Sequence, residues 1–262
     1  MKIIVLIKQV PNTTDVKIDP ETNTLRREGV ESVINPFDMY AIEESIRIKE
    51  RFGEGEVIVV SMGPPQAEDA LREAISLGCD RAILLSDRKF AGSDTWATSY
   101  TLSQAIRKIG DYALIFCGKQ ASDGDTAQVG PGVSMHLDIP QVTYVKKIEE
   151  ITKTNARVER MTEEGFDIIE TPIPAVFTVV KEINEPRLPS LKGKMKAKKA
   201  EIQVWTAEDI GCDEKMIGLD GSPTRVVKIF NPPPREGGQI LDGEADETSR
   251  KLAEFLKDVV IG

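Results

Sequence analysis

Short aliphatic runs alternate with helix-period segments along residues 1–145, and no other feature of the chain restricts its fold as strongly. Ile3-Ile4-Val5-Leu6-Ile7 is a continuous β-branched run, the pattern of a central parallel strand buried on both faces. Residues 56–62, 81–86, 112–117 and 140–145 repeat the strand signal. Helical stretches separate these runs. One opens at Asn35-Pro36-Phe37-Asp38 and carries Ala41, Ile42, Ser45, Ile46 and Ile48 inward, with Glu43, Glu44, Arg47 and Lys49 as its wet face. A second follows Pro64-Pro65, buries Ala67, Ala70, Leu71, Ala74 and Ile75, and ends at Gly78. A third spans 95–109 and a fourth lies near 131–137. Such alternation predicts an α/β fold: a Rossmann-like, doubly wound, mainly parallel sheet covered by helices on both faces.

The pattern changes after residue 145. Residues 147–152, 156–161 and 166–170 alternate apolar and polar side chains, with Gly165 between the last two, and predict a small β-hairpin extension over 146–171. Residues 174–180 return to a buried strand. Residues 184–203 read as extended and basic. There Lys192, Lys194, Lys196, Lys198 and Lys199 alternate with Met195 and Ala197, which suits a solvated loop or an edge strand guarded by lysines. Residues 205–243 are rich in Pro and Gly, with one strand candidate at 225–230. The tail over 244–260 predicts an amphipathic C-terminal helix. Its stripe of Leu252, Phe255, Leu256, Val259 and Val260 needs a cover, either the chain's own core or a partner.

Composition excludes several functions. A net charge of −9 argues against nucleic-acid binding. The three cysteines form no CxxC pair and, with one histidine, give little support for a metal centre or nucleophilic catalysis. The sparse, unpaired cysteines and the absence of a signal-like or membrane-length apolar segment lead to the expectation of a cytoplasmic protein with no membrane insertion. His136 is expected on a helix surface.

Residues 112–117 empty into Gly118-Lys119-Gln120-Ala121-Ser122-Asp123-Gly124-Asp125-Thr126-Ala127-Gln128-Val129, which then opens a helix. A strand followed by such a loop is where open α/β sheets bind ligands. The loop has no Walker lysine, no GxGxxG and no catalytic triad. Asp123 and Asp125 would repel a diphosphate and are expected to cap loop amides instead. Gly124 permits a positive φ or a close approach. The Thr126 hydroxyl and the amides of 126–129 are the better phosphate donors. A plain Asx-turn without a ligand is the alternative. Leu6 lies at the same sheet edge. Asp38 reads equally well as no more than a helix cap.

Several segments together resemble the beta subunit of electron-transfer flavoproteins. They are Val5-Leu6-Ile7-Lys8-Gln9-Val10-Pro11, Asn35-Pro36-Phe37-Asp38 with Ala41 through Glu50, Val60-Ser61-Met62-Gly63-Pro64, the 118–128 loop, Asn184-Glu185-Pro186-Arg187, and Met195-Lys196-Ala197-Lys198-Lys199. The resemblance implies an adenine-nucleotide-binding type of sheet over 1–190, then a recognition loop and C-terminal arm over 191–262. It implies a heterodimer with an alpha subunit that holds a redox FAD. It places Leu6, Asn35, Pro36, Phe37, Asp38, Met62 and residues 118–129 around the adenosine half of a bound nucleotide, and Asp94, Thr95 and Thr98, which read as easily as a first-turn helix cap, near a flavin. It makes Leu191, Met195 and Lys196 partner-recognition residues.

Conventional members of the family hold AMP here. Electron-bifurcating members hold a second FAD that takes hydride from NADH. The stretch Asp123-Gly124-Asp125-Thr126-Ala127-Gln128-Val129-Gly130-Pro131 resembles the bifurcating branch, because conventional members tend to carry a third acidic residue at Gly124 and Thr at Val129. The implied partners are then an acyl-CoA or hydroxyacid dehydrogenase and ferredoxin or flavodoxin. A conventional subunit with structural AMP, or a free-standing adenine-nucleotide-binding regulatory module, are the alternative readings.

Overall fold

The computed structural model describes residues 1–12, 32–227, 238 and 240–260, with the side chains of 258–260 left aside. Its central feature is a nine-stranded sheet. In chain order the strands are β1 (Lys2–Leu6), then β2 (Gln9–Pro11) and β3 (Ser32–Ile34), which pair only with each other, then β4 (Glu56–Met62), β5 (Arg81–Leu85), β6 (Tyr112–Gly118), β7 (Gln141–Ile151), β8 (Asn155–Met161), β9 (Phe166–Pro172), β10 (Ala175–Val179) and β11 (Gln203–Trp205). The order across the large sheet is β11-β5-β4-β1-β6-β10-β7-β8-β9. The strands from β11 to β7 run parallel, whereas β7, β8 and β9 are antiparallel.

Helices α1 (Pro36–Phe52), α2 (Glu68–Leu77), α3 (Thr95–Ile109), α4 (Val129–Leu137), α5 (Leu191–Lys199) and α6 (Ala245–Val260) complete the elements. Strand alternation sorts the cores. Ile3, Val5 and Ile7 join Ala41, Ile42, Leu71 and Ile75 beneath α1 and α2. Ile4 and Leu6 point the other way, to Leu102, Ile106 and Val133 beneath α3 and α4. Burying each such aliphatic side chain stabilises the fold by roughly 1.5–3 kcal/mol. Both faces of the sheet are therefore covered, as the continuous apolar runs require.

The chain winds outward from β1 through β4 and β5, then returns to the far side of β1 at β6. The carboxyl ends of β1 and β6 therefore flank a topological switch point, the usual crevice of an open α/β sheet.

Several local expectations change. The expected strand at 140–145 and the first strand of the expected hairpin are one strand, β7, so the antiparallel extension continues the main sheet. Tyr144 interrupts it with a φ of 57° and donates its amide to Thr178 Oγ1 at 3.1 Å. The basic segment is a helix and not an edge strand. Ser190 caps it by accepting from Gly193 N, and Lys, Met and Ala are good helix formers. Edge strand β11, beyond that segment, was missed. Residues 225–227 are irregular, and 228–230 lie outside the described residues.

The chain divides into two compact units, 1–227 and 228–262, so α5 and β11 belong to the first. In the second unit, α6 leaves Leu252, Phe255 and Leu256 about half exposed, while Val259 and Val260 fall outside the described side chains. Among the described residues no helix is long and apolar enough to cross a membrane.

Candidate functional site

Helices α1, α2, α3 and α4 all begin at the carboxyl edge of the parallel sheet. The first turn of α1 organises the switch point. Asn35 precedes it with a non-helical backbone, and Pro36 starts it where no amide is needed. Asn35 is 1 % exposed, and its side chain makes no cap. Its Nδ2 instead donates to the Gln120 carbonyl at 2.9 Å, while its Oδ1 accepts from Ser122 N at 3.0 Å. Its own amide donates to the Lys8 carbonyl at 2.8 Å. Asn35 thus clips the base of the 118–128 loop to the end of β1.

Asp38 is not a helix cap either. Its Oδ2 accepts from Lys8 N at 2.8 Å and its Oδ1 from Gly118 N at 3.0 Å. One buried carboxylate therefore joins the ends of β1 and β6. Burial pushes its carboxyl up to about 7, against the opposing pull of these amides and of Asn35. Gly118 is required by the same approach, because a Cβ there would lie 2.5 Å from Phe37 Cβ and 2.6 Å from Asp38 Oδ1. Lys119 follows, with its Nζ 5.0 Å from the Phe37 ring centroid and 5.6 Å from that of Tyr144.

The loop is shaped by side-chain partners and not by the expected Asx caps. Both Asp123 oxygens accept from Lys8 Nζ, at 2.6 and 2.8 Å. Gln120 Nε2 donates to Asp125 Oδ1, and Asp125 N donates to the Ala121 carbonyl at 2.9 Å. The positive φ values fall at Asp125 and Ala127, both 53°, and not at Gly124. A Cβ at Gly124 would meet nothing within 4 Å. The amides of Thr126, Ala127 and Gln128 have no hydrogen-bond partner among the described residues. They stand before α4, whose N-cap residue Gln128 makes no side-chain cap. Its Oε1 instead accepts from Thr95 Oγ1 at 2.9 Å, which ties the starts of α3 and α4 together.

Asp94 is the N-cap of α3. Its Oδ1 accepts from Trp96 N and Ala97 N, and its Oδ2 accepts from the amide and hydroxyl of Thr224. These hydrogen bonds outweigh its partial burial and hold its carboxyl below the usual range. Thr98 is half-buried one turn into α3, with its amide donating to the Asp94 carbonyl. Leu6 and Met62 lie in the apolar layer beneath this edge. The structure thus brings Asn35, Pro36, Phe37, Asp38, Leu6, Met62, Thr95 and the 118–129 loop to one edge.

Leu191 and Met195 sit one turn apart on α5, 80 % and 59 % exposed. Lys196 differs from them, because its Nζ donates to the Cys79 carbonyl at 2.9 Å. His136 is wedged against Trp96 and Tyr100, at centroid distances of 4.5 and 5.6 Å, rather than free on a surface. Burial pushes its pKa down. The three cysteines are unpaired, and burial pushes the Cys79 thiol up to about 12 and the Cys117 thiol higher still. Among the described residues no group of three or more His, Cys, Asp or Glu could hold a metal ion.

Sequence reasoning misread Glu43 and Glu44 as a wet face. Both are buried. Arg187 donates to Glu43 and Glu50, and Asn184 donates to Glu44 Oε2 and the Tyr40 carbonyl. The Arg187 and Arg47 bonds overcome burial and hold the Glu43 carboxyl low, whereas burial raises that of Glu44. The only sequence signal was the joint presence of the 41–50 and 184–187 segments in the family pattern.

Comparison with known proteins identifies the family of the chain. Residues 22–210 match the electron transfer flavoprotein domain. An electron transfer flavoprotein subunit beta of Thermoanaerobacterium thermosaccharolyticum is 53 % identical over 98 % of both chains. The caffeyl-CoA reductase-Etf complex subunit CarD of Acetobacterium woodii is 47 % identical, again over 98 % of both. Protein FixA of Azotobacter vinelandii is 47 % identical over 97 % of this chain and 92 % of its own. With the family domain covering most of the chain and relatives aligned nearly end to end, the chain belongs to the electron transfer flavoprotein family, as a beta subunit.

Proposed function

We propose that this beta subunit pairs with an alpha subunit in a heterodimer that oxidises NADH. Its two electrons would divide between the alpha-subunit FAD, serving an acyl-CoA or hydroxyacid dehydrogenase, and ferredoxin or flavodoxin. In this reading the carboxyl edge described above holds a FAD of its own. When bound, that FAD supplies hydride-accepting and one-electron chemistry.

The observation that carries the reading is the set of amides at 126–128. Among the described residues they have no hydrogen-bond partner, and they lead into α4, whose N-terminus has no side-chain cap. Backbone donors of this kind suit a diphosphate, with the helix dipole adding favourable charge. The donor set fits the group. Asp123 and Asp125, the carboxylates that would repel a phosphate, are already engaged by Lys8 and Gln120. Asn35 holds the loop base, Asp38 holds the strand ends, and the Thr95–Gln128 bond fixes the α3 side of the edge. The chain's task is therefore to position the nucleotide and supply a fixed electrostatic setting.

The open space at Gly124, the loop sequence and the kinship with CarD support FAD over AMP. The exposed Leu191 and Met195 on α5 support a chain that docks redox partners and argue against a free-standing regulatory module. The test is to co-purify the chain with its alpha subunit and count nucleotides per heterodimer. Two FAD are expected. One FAD with one AMP would replace this reading with the conventional subunit, and failure to form a stable heterodimer would remove both.

A further inference from the structure

We propose that Lys8 is a positioning residue for nucleotide retention, acting as a latch on the loop through its ion pair with Asp123. The proposal rests on the reading that the 118–128 loop holds a nucleotide. Lys8 follows β1 at the switch point, and its backbone is pinned on both sides. Its amide donates to Asp38 Oδ2 and its carbonyl accepts from Asn35 N, each at 2.8 Å. A fixed Cα leaves the side chain as the moving part. Its Nζ reaches 115 residues along the chain to both oxygens of Asp123, at 2.6 and 2.8 Å.

Two adjacent points in the first half of the loop are therefore held differently. Asn35, buried and neutral, secures its base at Gln120 and Ser122. Lys8, with a side chain 48 % exposed, secures Asp123 further along by charge. Beyond Asp123 lie the positive-φ residues Asp125 and Ala127 and the unpartnered amides of 126–128. Releasing the Lys8–Asp123 pair leaves that stretch held by the Gln120–Asp125, Asp125–Ala121 and Thr95–Gln128 bonds, all internal to the loop or at its far end, and so loosens it on the Asn35 clip without unfolding the sheet. A second consequence is electrostatic. Lys8 neutralises the loop carboxylate at Asp123, which would otherwise repel a bound phosphate.

The experiment uses the heterodimer with its alpha subunit and four forms: wild type, Lys8→Met, Asp123→Asn, and the charge swap Lys8→Asp with Asp123→Lys. The readouts are the release rate of the beta-subunit nucleotide, identified by chromatography, and amide hydrogen exchange over 120–128. Both single variants are expected to release nucleotide about two- to fivefold faster, the range for a partly exposed ion pair. Exchange over 120–128 should rise in both. Added salt should speed release from wild type toward the variants and leave the variants nearly unchanged. The swap should recover much of the wild-type exchange protection. Faster release from Lys8→Met with Asp123→Asn unaffected would overturn the latch and make Lys8 a direct phosphate contact. Unchanged exchange in both single variants would also overturn it. A wild-type heterodimer without a beta-subunit nucleotide would refute the functional reading instead, and the exchange data would still decide the latch.

Discussion

Arg187 and Glu43 stand 144 residues apart in sequence and meet in a charged fork, with Arg187 Nε 2.8 Å and Nη2 3.2 Å from the Glu43 carboxylate. The same guanidinium reaches Glu50 with both terminal nitrogens, at 2.7 and 3.0 Å. One residue thus binds the middle and last thirds of α1 and pins the segment that leads to α5. Replacing Arg187 by Ala should lower the unfolding free energy by about 2–3 kcal/mol, because the Glu43 side chain is only 4 % exposed and would keep only Arg47 and the residue-187 amide as partners. Arg187→Lys should recover only part of this, since an ammonium cannot span two carboxylates in a planar fork. Chemical denaturation of the three forms measures both effects.

Asp38 gives the fold a specific pH dependence. Its folded-state carboxyl, at about 7, lies above its ordinary value of 3.8. Between those values the native state holds the proton more tightly than the unfolded chain. Stability contributed by this group therefore falls as pH rises from about 4 to 7, and levels off above that. The total is bounded by about 4 kcal/mol, from roughly three pH units. In Asp38→Asn this component is absent, so the stability of wild type relative to the variant should decline across the window. A difference that stays flat, or rises with pH, contradicts the assignment.

Gly118 and Gly124 sit in one loop region yet should respond in opposite ways. Gly118→Ala forces a methyl against Phe37 and Asp38 and should destabilise the chain by about 2 kcal/mol or more. Gly124→Ala meets nothing and should stay within about 0.5 kcal/mol of wild type. Gly124→Glu should also leave the fold intact while shifting the beta-subunit nucleotide from FAD toward AMP. Thermal unfolding and chromatography of the released nucleotides read the two properties separately.

On the helix α5, Leu191 and Met195 are exposed whereas Lys196 is bonded to the Cys79 carbonyl. Leu191→Ala and Met195→Ala should leave stability unchanged and weaken docking of a redox partner by about fivefold or more, as expected of exposed apolar anchors. Lys196→Met should act in the reverse sense. It removes the bond to the Cys79 carbonyl and should lower stability by about 1 kcal/mol, with the smaller effect on docking. Steady-state electron-transfer kinetics and unfolding curves distinguish the two.

The legible part of this chain was what repeats locally. Strand runs such as Ile3-Ile4-Val5-Leu6-Ile7, the helix stripe of Leu71, Ala74 and Ile75, and the glycine-rich exit from β6 follow periods of two or 3.6 residues. They determined the doubly wound sheet and the edge at which open α/β sheets generally bind ligands. Periodicity misled where polar residues were buried in pairs, as at Glu43 and Glu44. It also misled where alternating lysines imitated a strand, although Ser190 supplied a helix cap.

The sequence by itself therefore determined the fold class, the family and the presence of a glycine-rich loop after β6. Only the tertiary structure decided how that loop is held. Asn35, Asp38 and the Lys8–Asp123 pair find partners across separations of 30 to 115 residues. No local pattern encodes such partners, because they exist only once the winding of the sheet has carried the ends of β1 and β6 to the same crevice.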